Sequence, residues 1–357
     1  MKQKICTTSK RRAFTLIELL TVMVIVLILA TIAIPAINGV RAVVQRVSCQ
    51  NHLRQLGTAF DTYAVSTGGY PAVQTSQACT AAEMGRSRKS RKTRFPVEYG
   101  WTHELLPYLE MQAIYDGFDR TRPYYDGETN QNLMRKQIPV FLCPSAPRQR
   151  ETTMRNAHRE VVNSVLSLLP GEAKGGAIDY YVHHGGVLKP DGHVGNNALI
   201  YKDERISPQR IFDGLSTTIL VDEMAGRPEL WVKGKRDTSQ YNSYGTQEVE
   251  LPESSLWGGI PSTELSAWSK DGYRRASYSS TDGAKNFDRI LNVTNNGIYS
   301  FHVQGGNILM MDGRVKFISE NVVPDVYLSL STRDGEEPYR VEDLENVLNS
   351  SGSHGEN

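Results

Sequence analysis

The chain has 357 residues, of which 39% are hydrophobic, and its formal net charge is +1. That length is enough for one large domain or two small ones with a sizeable core. Five of the cationic residues stand among the first twelve positions, so the rest of the chain is slightly acidic, and the composition excludes a globally basic nucleic-acid-binding protein.

A long apolar stretch follows this basic start. It begins at Phe14 and, after Glu18, runs without a charge over residues 19–34. About twenty residues at about 1.5 Å each span roughly 30 Å, the thickness of a bilayer core, so the stretch predicts a membrane-spanning helix. A central carboxylate costs about 2.5–3.5 kcal/mol on the insertion scale, while each Leu, Ile or Val favours insertion by about 0.3–0.6 kcal/mol. Insertion therefore remains favourable, but Glu18 needs a partner.

Two other interpretations of this segment stay open. A secretory signal peptide has an apolar stretch of about 7–15 residues, shorter than this one, and residues 31–33 offer only a weak cleavage site. An uncleaved anchor is the second alternative. In every case the basic start predicts a cytoplasmic N-terminus, which places the bulk of the chain beyond the inner membrane.

The helix is expected to continue past Pro35 into the soluble part. Apolar side chains recur there at steps of mostly three and four residues, which is typical of one amphipathic face. Gly68, Gly69 and Pro71 predict the end of the helix, because glycine supplies a left-handed cap and proline cannot continue the helix. From Phe14 to this end the helix would be about 80 Å long. The apolar positions are Val40, Val43, Val47, Leu53, Leu56, Phe60 and Tyr63.

Residues 74–97 interrupt the pattern of alternating apolar and polar segments. They are polar and include a dense basic run at 86–94, which predicts a disordered surface insertion. Such a run can contact anionic lipid, polysaccharide or nucleic acid, although a solvated loop is the commoner role.

Three histidines lie within eleven positions, at His183, His184 and His193. Their spacing suggests a metal site. However, adjacent residues of a strand point to opposite faces, so one member of the pair at most can join His193. Structural or surface roles are therefore the preferred interpretation.

Residues 307–318 predict a β-hairpin, because Asp312-Gly313 separates two runs with high β-propensity. A two-residue type I′ turn would pair Leu309 with Lys316 on one face and Ile308 with Phe317 on the other. A lone hairpin is marginally stable, so this one should belong to a larger sheet.

The N-terminus resembles that of type IV prepilins and type II secretion pseudopilins. The resemblance lies in the basic leader, a small residue and then Phe14-Thr15-Leu16-Ile17-Glu18 before an apolar helix. It implies that a prepilin peptidase cuts between Ala13 and Phe14 and that the new amine is methylated. It also implies that Glu18 pairs with the N-terminus of a neighbouring subunit and that Pro35 marks a helix kink. The family usually has Gly where this chain has Ala13, which is also small.

A second resemblance covers the chain to about residue 335. His302, nine residues and then Asp312-Gly313 match the H-X9-DG motif of bacterial DUF1559 proteins, which are described as pseudopilin-like transporters. No biochemical activity is established for that family, so the resemblance predicts architecture more than chemistry. Further segments similar to the family are 49–56, 105–110, 141–145, 213–220 and 330–333.

Together the resemblances imply an α+β, pilin-like fold, with a long N-terminal transmembrane and amphipathic helix packed on an antiparallel β-sheet that carries long loops. The expected divisions are a prepilin-type leader at 1–13, a transmembrane helix at 14–34, its amphipathic continuation at 35–70, a globular domain at 71–335 and a tail at 336–357.

The chain has four cysteines, of which Cys6 stands in the leader. Three remain outside the cytoplasm, so at most one internal bridge can form. Cys49 and Cys143 both lie in segments similar to the DUF1559 family, whereas Cys79 lies in the polar insertion, and we therefore expect a bridge between Cys49 and Cys143.

The leading hypothesis is a single-pass inner-membrane protein that serves as a structural or assembly subunit of the bacterial envelope. Its expected partners are the prepilin peptidase, like or related pseudopilin subunits and inner-membrane lipid, without nucleic acid. The alternative is a membrane-tethered module that binds a solute or polysaccharide in its periplasmic or extracellular domain, near Trp231, Trp257 or Trp268.

An enzyme is not expected, since the sequence contains no motif for nucleophilic, metal or phosphate chemistry, and no cofactor is implied. His302 and Asp312 could form an acid/base or metal pair, but a structural role in the hairpin is the preferred interpretation, because aspartate is common at this turn position.

Overall fold

The structure is a computed structural model, and it describes most of the chain between residues 15 and 333. Ala13, Phe14, His184 and His193 lie outside the described residues, as do residues 81–93 and the tail. The described ranges are 15–80, 94–147, 151–155, 158–162, 165–169, 172–183, 187–188, 194–195, 203–237, 255–263, 267–268, 275–276, 291–295, 297–322 and 324–333.

One continuous helix opens the described chain. It runs over Leu16–Thr67, through Pro35, and ends where the sequence predicted, because Gly68 takes a left-handed conformation with φ of 82°. The chain divides into two compact units, Met1–Gln45 and Arg46–Asn357. The second unit holds the last turns of the helix and every sheet that the described residues form.

The helices and strands are as follows. The helices are α1 (Leu16–Thr67), α2 (Trp101–Leu105), α3 (Gln112–Gly117), α4 (Glu128–Met134) and α5 (Pro324–Ser329), with 3-10 turns at Leu106–Leu109, Pro139–Phe141 and Pro208–Arg210. The strands are β1 (Gln74–Thr80), β2 (Arg94–Gly100), β3 (Glu151–Arg155), β4 (His158–Val162), β5 (Val165–Leu169), β6 (Glu172–Gly176), β7 (Tyr180–His183), β8 (Val187–Leu188), β9 (Val194–Gly195), β10 (Ile219–Glu223), β11 (Trp231–Val232), β12 (Lys235–Arg236), β13 (Ser262–Thr263), β14 (Ala267–Trp268), β15 (Arg275–Ala276), β16 (Gly305–Met310) and β17 (Val315–Ser319).

A five-stranded sheet forms the centre of the second unit. Its strand order is β13-β7-β10-β16-β17, and every pair is antiparallel except β13 with β7. The long helix and the antiparallel sheets confirm the predicted α+β, pilin-like class. β10 and β16 are buried along their whole length, as central strands with a covered sheet on both faces should be.

Each face of β16 belongs to a different hydrophobic cluster. Leu309 joins the larger cluster, which contains Leu53 and Leu56 of α1, whereas Ile308 and Tyr327 of α5 belong to the smaller one. The C-terminal part of α1 therefore covers one side of the sheet and α5 covers the other.

The prediction of a disordered insertion at 74–97 is wrong at both ends of that segment. β1 and β2 pair in antiparallel register from Gln74 opposite Gly100 to Thr80 opposite Arg94. Polar residues such as Gln and Ser can form a strand pair when the backbone hydrogen bonds are satisfied between strands, so composition alone was a poor guide here.

The predicted hairpin forms, but the predicted register is wrong by one residue. Leu309 lies opposite Val315 and Ile308 opposite Lys316. The turn has three residues instead of two, since the Met310 amide donates to the Arg314 carbonyl and the Gly313 amide donates to the Met310 carbonyl. Gly313 has a φ of 80°, which is typical of a type I turn that ends in a left-handed residue with a bulge.

Candidate functional site

The first candidate site is the apolar surface of α1. The large apolar side chains between Leu16 and Ile34 are 48–83% exposed. α1 is long and apolar enough to cross a membrane by length and composition. A continuous apolar surface of this size requires lipid or another apolar partner to cover it.

Glu18 caps the start of this helix. Its Oε2 atom accepts hydrogen bonds from the Thr15 backbone amide at 2.9 Å and from the Thr15 hydroxyl at 2.8 Å, and the Glu18 amide donates to the Thr15 hydroxyl. Thr15 and Glu18 thus form a capping box, a pattern visible in the sequence as Thr-x-x-Glu that sequence reasoning missed. The local cap lowers the cost of placing this carboxylate at the edge of an apolar segment.

The second candidate site surrounds a disulfide between α1 and the loop after the Pro139–Phe141 turn. The structure joins Cys49 to Cys143, the pair expected from the resemblance, with their Cα atoms 5.3 Å apart. The Cys143 amide donates to the carboxylate of the buried Asp179 at 2.8 Å. Both cysteines are fully or almost fully buried, at 0% and 2% exposure.

The imidazole of His302 lies directly against this bridge. Its Nε2 atom is 3.6 Å from the Cys143 sulfur and 3.3 Å from Glu223 Oε1, and its Nδ1 atom is 3.2 Å from the Ser145 hydroxyl. A proton on Nδ1 shared with Ser145 would leave the Nε2 lone pair facing the sulfur and the carboxylate.

Glu223 supplies the acid of this cluster from the end of β10. It is fully buried, and its Oε2 atom accepts hydrogen bonds from the Asn307 backbone amide at 2.8 Å and from the Asn307 side-chain amide at 3.2 Å. The Gln50 side chain in turn donates to Asn307 at 3.2 Å. Sequence reasoning missed Glu223, because it lies 79 residues before His302 and outside the segments that resemble the family.

The sulfur atoms of Cys49 and Cys143, a carboxylate oxygen of Glu223 and a ring nitrogen of His302 all lie within 4.8 Å of one another. Cysteine, histidine and glutamate are all ligands of divalent metals. The four residues come from α1, the 141–145 segment, β10 and the loop before β16, so only the folded domain brings them together.

Asp312 does not join His302 in this cluster. Its carboxylate accepts hydrogen bonds from the Arg314 amide at 3.1 Å and from the Arg314 guanidinium at 2.6 Å. A Cβ on Gly57 of α1 would lie 3.5 Å from the Gly313 Cα, so this turn packs closely on the helix. Burial and the Asp312 charge raise the pKa of Asp61, which lies on the same part of α1. The Asp-Gly half of the motif is therefore structural.

A cavity of about 860 Å³ adjoins His302. Its volume falls in the range of small-molecule sites, about 300–1,000 Å³. The lining mixes charged, amide and aromatic groups: Lys233, Gly234, Asn292, Val293, Tyr299, Ser300, Phe301, His302, Val303, Gln304 and Glu320.

The third group surrounds His183, which is the described one of the three histidines that lie close together in the sequence. His183 on β7 forms a buried pair with Asp222 of β10, and the Tyr327 hydroxyl donates to the same carboxylate. Complete burial raises the pKa of Asp222 to about 8, although the Tyr327 hydrogen bond lowers it. This geometry fits a protonated Asp222 that donates to the ring nitrogen and accepts from the tyrosine, which is a structural role.

Replacing Asp222 with asparagine should flatten the dependence of stability on pH. The pKa of Asp222 is raised from 3.8 to about 8 in the folded state, so the folded state binds more protons, and wild-type stability should fall as the pH rises from about 4 to 8. Asparagine keeps one acceptor and one donor without a charge. We expect Asp222→Asn to exceed the wild type at pH 8 by on the order of a few kcal/mol in urea unfolding.

The comparison of the two proteins at pH 4 provides the control, because Asp222 is then neutral in the folded state and only partly ionised in the unfolded chain. A wild type whose unfolding free energy stays parallel to that of Asp222→Asn from pH 5 to 8 would contradict a protonated Asp222.

Two family models match the chain. The model described as "Protein of unknown function (DUF1559)" matches residues 40–325, and the "Prokaryotic N-terminal methylation motif" matches residues 8–34. The first covers all the residues of the disulfide cluster, and the second covers Ala13, Phe14 and Glu18. No curated protein and no solved structure matches the chain. The methylation motif makes the N-terminus type IV pilin-like or pseudopilin-like and implies processing by a prepilin peptidase.

Proposed function

The chain belongs to the DUF1559 family, and on that premise we propose that it is a membrane-anchored structural or assembly subunit of the bacterial envelope, of the pseudopilin kind found in type II secretion. The proposed role is not enzymatic. It rests on the N-terminal methylation motif together with the apolar surface of α1.

The exposed apolar surface of α1 is the observation that carries this proposal. Its large apolar side chains between Leu16 and Ile34 are at least 48% exposed, and the segment starts with Glu18, whose carboxylate caps the helix. A lipid bilayer can cover such a surface, and so can the same helix of neighbouring subunits. A subunit that moves between membrane and filament needs a surface compatible with both environments.

The proposed topology places the globular domain outside the cytoplasm. The basic residues before Phe14 favour a cytoplasmic start in the inner membrane. A disulfide between Cys49 and Cys143 is typical of a periplasmic or extracellular compartment. The proposed partners are the prepilin peptidase, like or related pseudopilin subunits bound through α1, and inner-membrane lipid.

We expect the mature protein to start at Phe14 with a methylated amine, because the peptidase cuts after a small residue that precedes Phe-Thr-Leu-Ile-Glu. N-terminal sequencing and mass spectrometry of the membrane-extracted protein measure this. Ala13→Gly should be processed at least as completely, whereas Ala13→Leu should retain the leader because its side chain is too large for the subsite.

Comparing Ala13→Gly with Ala13→Leu separates an effect on processing from an effect on expression, since both variants keep the membrane-spanning segment at 14–34 unchanged. A wild-type protein that begins at Met1, or one that begins after Ala33, would remove the pilin-like interpretation of the segment.

The cavity beside His302 supports a second candidate function, the binding of a solute or polysaccharide. Phe301 lines the cavity and packs on Trp231, with ring centroids 4.9 Å apart. Trp257 does not serve this role, since it is fully buried and donates to the Lys136 carbonyl at 2.8 Å. Trp268 lies in β14. Binding of the detergent-solubilised protein to an array of oligosaccharides, with Phe301→Ala as the comparison, tests this function.

A further inference from the structure

We propose that the disulfide site is also a metal site: when the bond between Cys49 and Cys143 is reduced, the two thiolates, His302 and Glu223 bind a borderline-soft divalent cation such as Zn²⁺. The disulfide and the metal would be alternative states of one site. The inference stands independently of whether α1 assembles with other subunits.

Two interatomic distances of the site fit tetrahedral zinc, and the four ligand atoms all lie within 4.8 Å of one another. With Zn–S near 2.3 Å and Zn–N and Zn–O near 2.0–2.2 Å, a tetrahedral ion separates sulfur from nitrogen by about 3.6 Å and nitrogen from oxygen by about 3.4 Å. The His302 Nε2 atom lies 3.6 Å from the Cys143 sulfur and 3.3 Å from Glu223 Oε1. After reduction, the two sulfur atoms must move from bonding distance to about 3.8 Å apart to bind the same ion. This requires each sulfur to move by under about 1 Å.

The atoms that would face the ion have few competing interactions. Glu223 Oε1 is buried and has no hydrogen-bond donor with good geometry among the described residues, although His302 lies near it. A buried carboxylate oxygen in that state costs free energy unless a cation or donor satisfies it. An ion at the centre of the cluster would satisfy it.

The groups behind the ligands are those that a metal site needs. The Ser145 hydroxyl next to His302 Nδ1 can fix the ring so that Nε2 is the ligand, and Asn307 holds the other Glu223 oxygen with two hydrogen bonds. Such outer contacts orient the ligands and raise metal affinity. His302 also lines the cavity of about 860 Å³, so the cluster lies next to that cavity.

Two reactions convert the disulfide state of the site into the metal-bound state. A dithiol reductant transfers two electrons and two protons to the disulfide, so that Cys49 and Cys143 become thiols and the reductant becomes a disulfide. Binding of the cation then releases the two thiol protons, because the thiolate is the form of cysteine that binds a metal. In the reverse direction a disulfide oxidant accepts two electrons from the thiolates and two protons from water and becomes a dithiol, so the ion is released and the bridge is restored.

The test uses the full-length protein in detergent, reduced with a phosphine and titrated with Co²⁺ under anaerobic conditions. Co²⁺ replaces Zn²⁺ in tetrahedral sites and absorbs light through thiolate charge-transfer and d–d bands. We expect the reduced wild type to bind a single equivalent with both kinds of band and to lose the bands when Zn²⁺ is added. The oxidised protein should show neither band.

Three variants make the assignment specific. Cys79→Ser removes the remaining cysteine outside the leader and should bind as the wild type does. Ser145→Ala should weaken binding by about 10–100-fold, the usual effect of an outer contact, and His302→Gln should weaken it further and alter the d–d bands. Zn²⁺ should also raise the melting temperature of the reduced wild type, but not that of reduced His302→Gln.

Several results would overturn the proposal. These are the absence of Co²⁺ bands in the reduced wild type, identical bands in His302→Gln, or identical bands in the oxidised protein. Circular dichroism of the reduced wild type serves as the folding check, and a reduced protein that is unfolded both with and without Zn²⁺ would also reject the site.

Discussion

Glu18→Leu should insert into the membrane as the wild type does and yet fail to associate with neighbouring subunits. Insertion already outweighs the cost of one acid, so removing the carboxylate favours it further. Association should suffer, because a processed neighbour's amine would then remain unpaired in the bilayer. A charge there costs about 2.5–3.5 kcal/mol, which corresponds to roughly a 100-fold loss in association, measured by cysteine cross-linking along α1 in membranes.

The capping box requires a control that separates charge from hydrogen bonding. Glu18→Gln removes the charge, but its side-chain oxygen can still accept from Thr15, so the cap persists. Thr15→Val keeps the charge and weakens the cap. If charge pairing drives assembly, Glu18→Gln should fail like Glu18→Leu while Thr15→Val still cross-links. The opposite order would assign Glu18 to helix capping alone, and unchanged cross-linking in all three would show that association does not depend on Glu18. A wild type that does not cross-link at all would indicate a solitary anchor.

The sequence predicted α1 and its end because both depend on local signals. Apolar residues at steps of three and four from Leu53 to Tyr63 form the buried face of α1, but the predicted extension of that face to Val40, Val43 and Val47 is wrong, since these side chains are 46–63% exposed. Gly68 ends the helix in a left-handed conformation, which few other residues adopt without strain. The exposed apolar half could be predicted for the same reason, since its length and lack of charge are properties of the segment itself.

The disulfide cluster shows where prediction from sequence stops. His302 could be singled out by its motif, but Asp312, its partner in the motif, belongs to the turn and contacts Arg314. The acid that faces His302 is Glu223, and its position depends on the antiparallel pairing of β10 with β16. Long-range pairing leaves no local trace in a single sequence.

The register of the hairpin could not be predicted for a related reason. Asp-Gly fits both a two-residue type I′ turn and a three-residue turn with a left-handed Gly313, and the choice shifts every partner by one. What favours the longer turn is contact with the rest of the fold: Gly57 of α1 lies against Gly313, and the Asp312 amide donates to the Leu215 carbonyl. Tertiary packing thus decided the register.

Replacing both Cys49 and Cys143 with alanine should destabilise the domain by about 4–5 kcal/mol, because the bridge closes a loop of 94 residues and restricts the unfolded chain. Domains of this kind are stable by only about 5–15 kcal/mol, so the loss is a large fraction of the total. The melting temperature should fall by roughly 10 °C. The double variant avoids a free buried thiol, and urea unfolding under oxidising conditions measures the effect.

Cys79→Ser provides the matched control and should leave the unfolding free energy unchanged, since Cys79 is outside the bridge. The fold itself should survive in the double variant, because Leu53, Leu56 and Phe60 of α1 remain fully buried in the core. An unfolding free energy equal to that of the wild type would contradict a stabilising bridge. Reduced wild-type protein should recover part of the lost stability when Zn²⁺ is added, whereas the double variant should not, because it lacks both the covalent and the metal cross-link between α1 and the 141–145 segment.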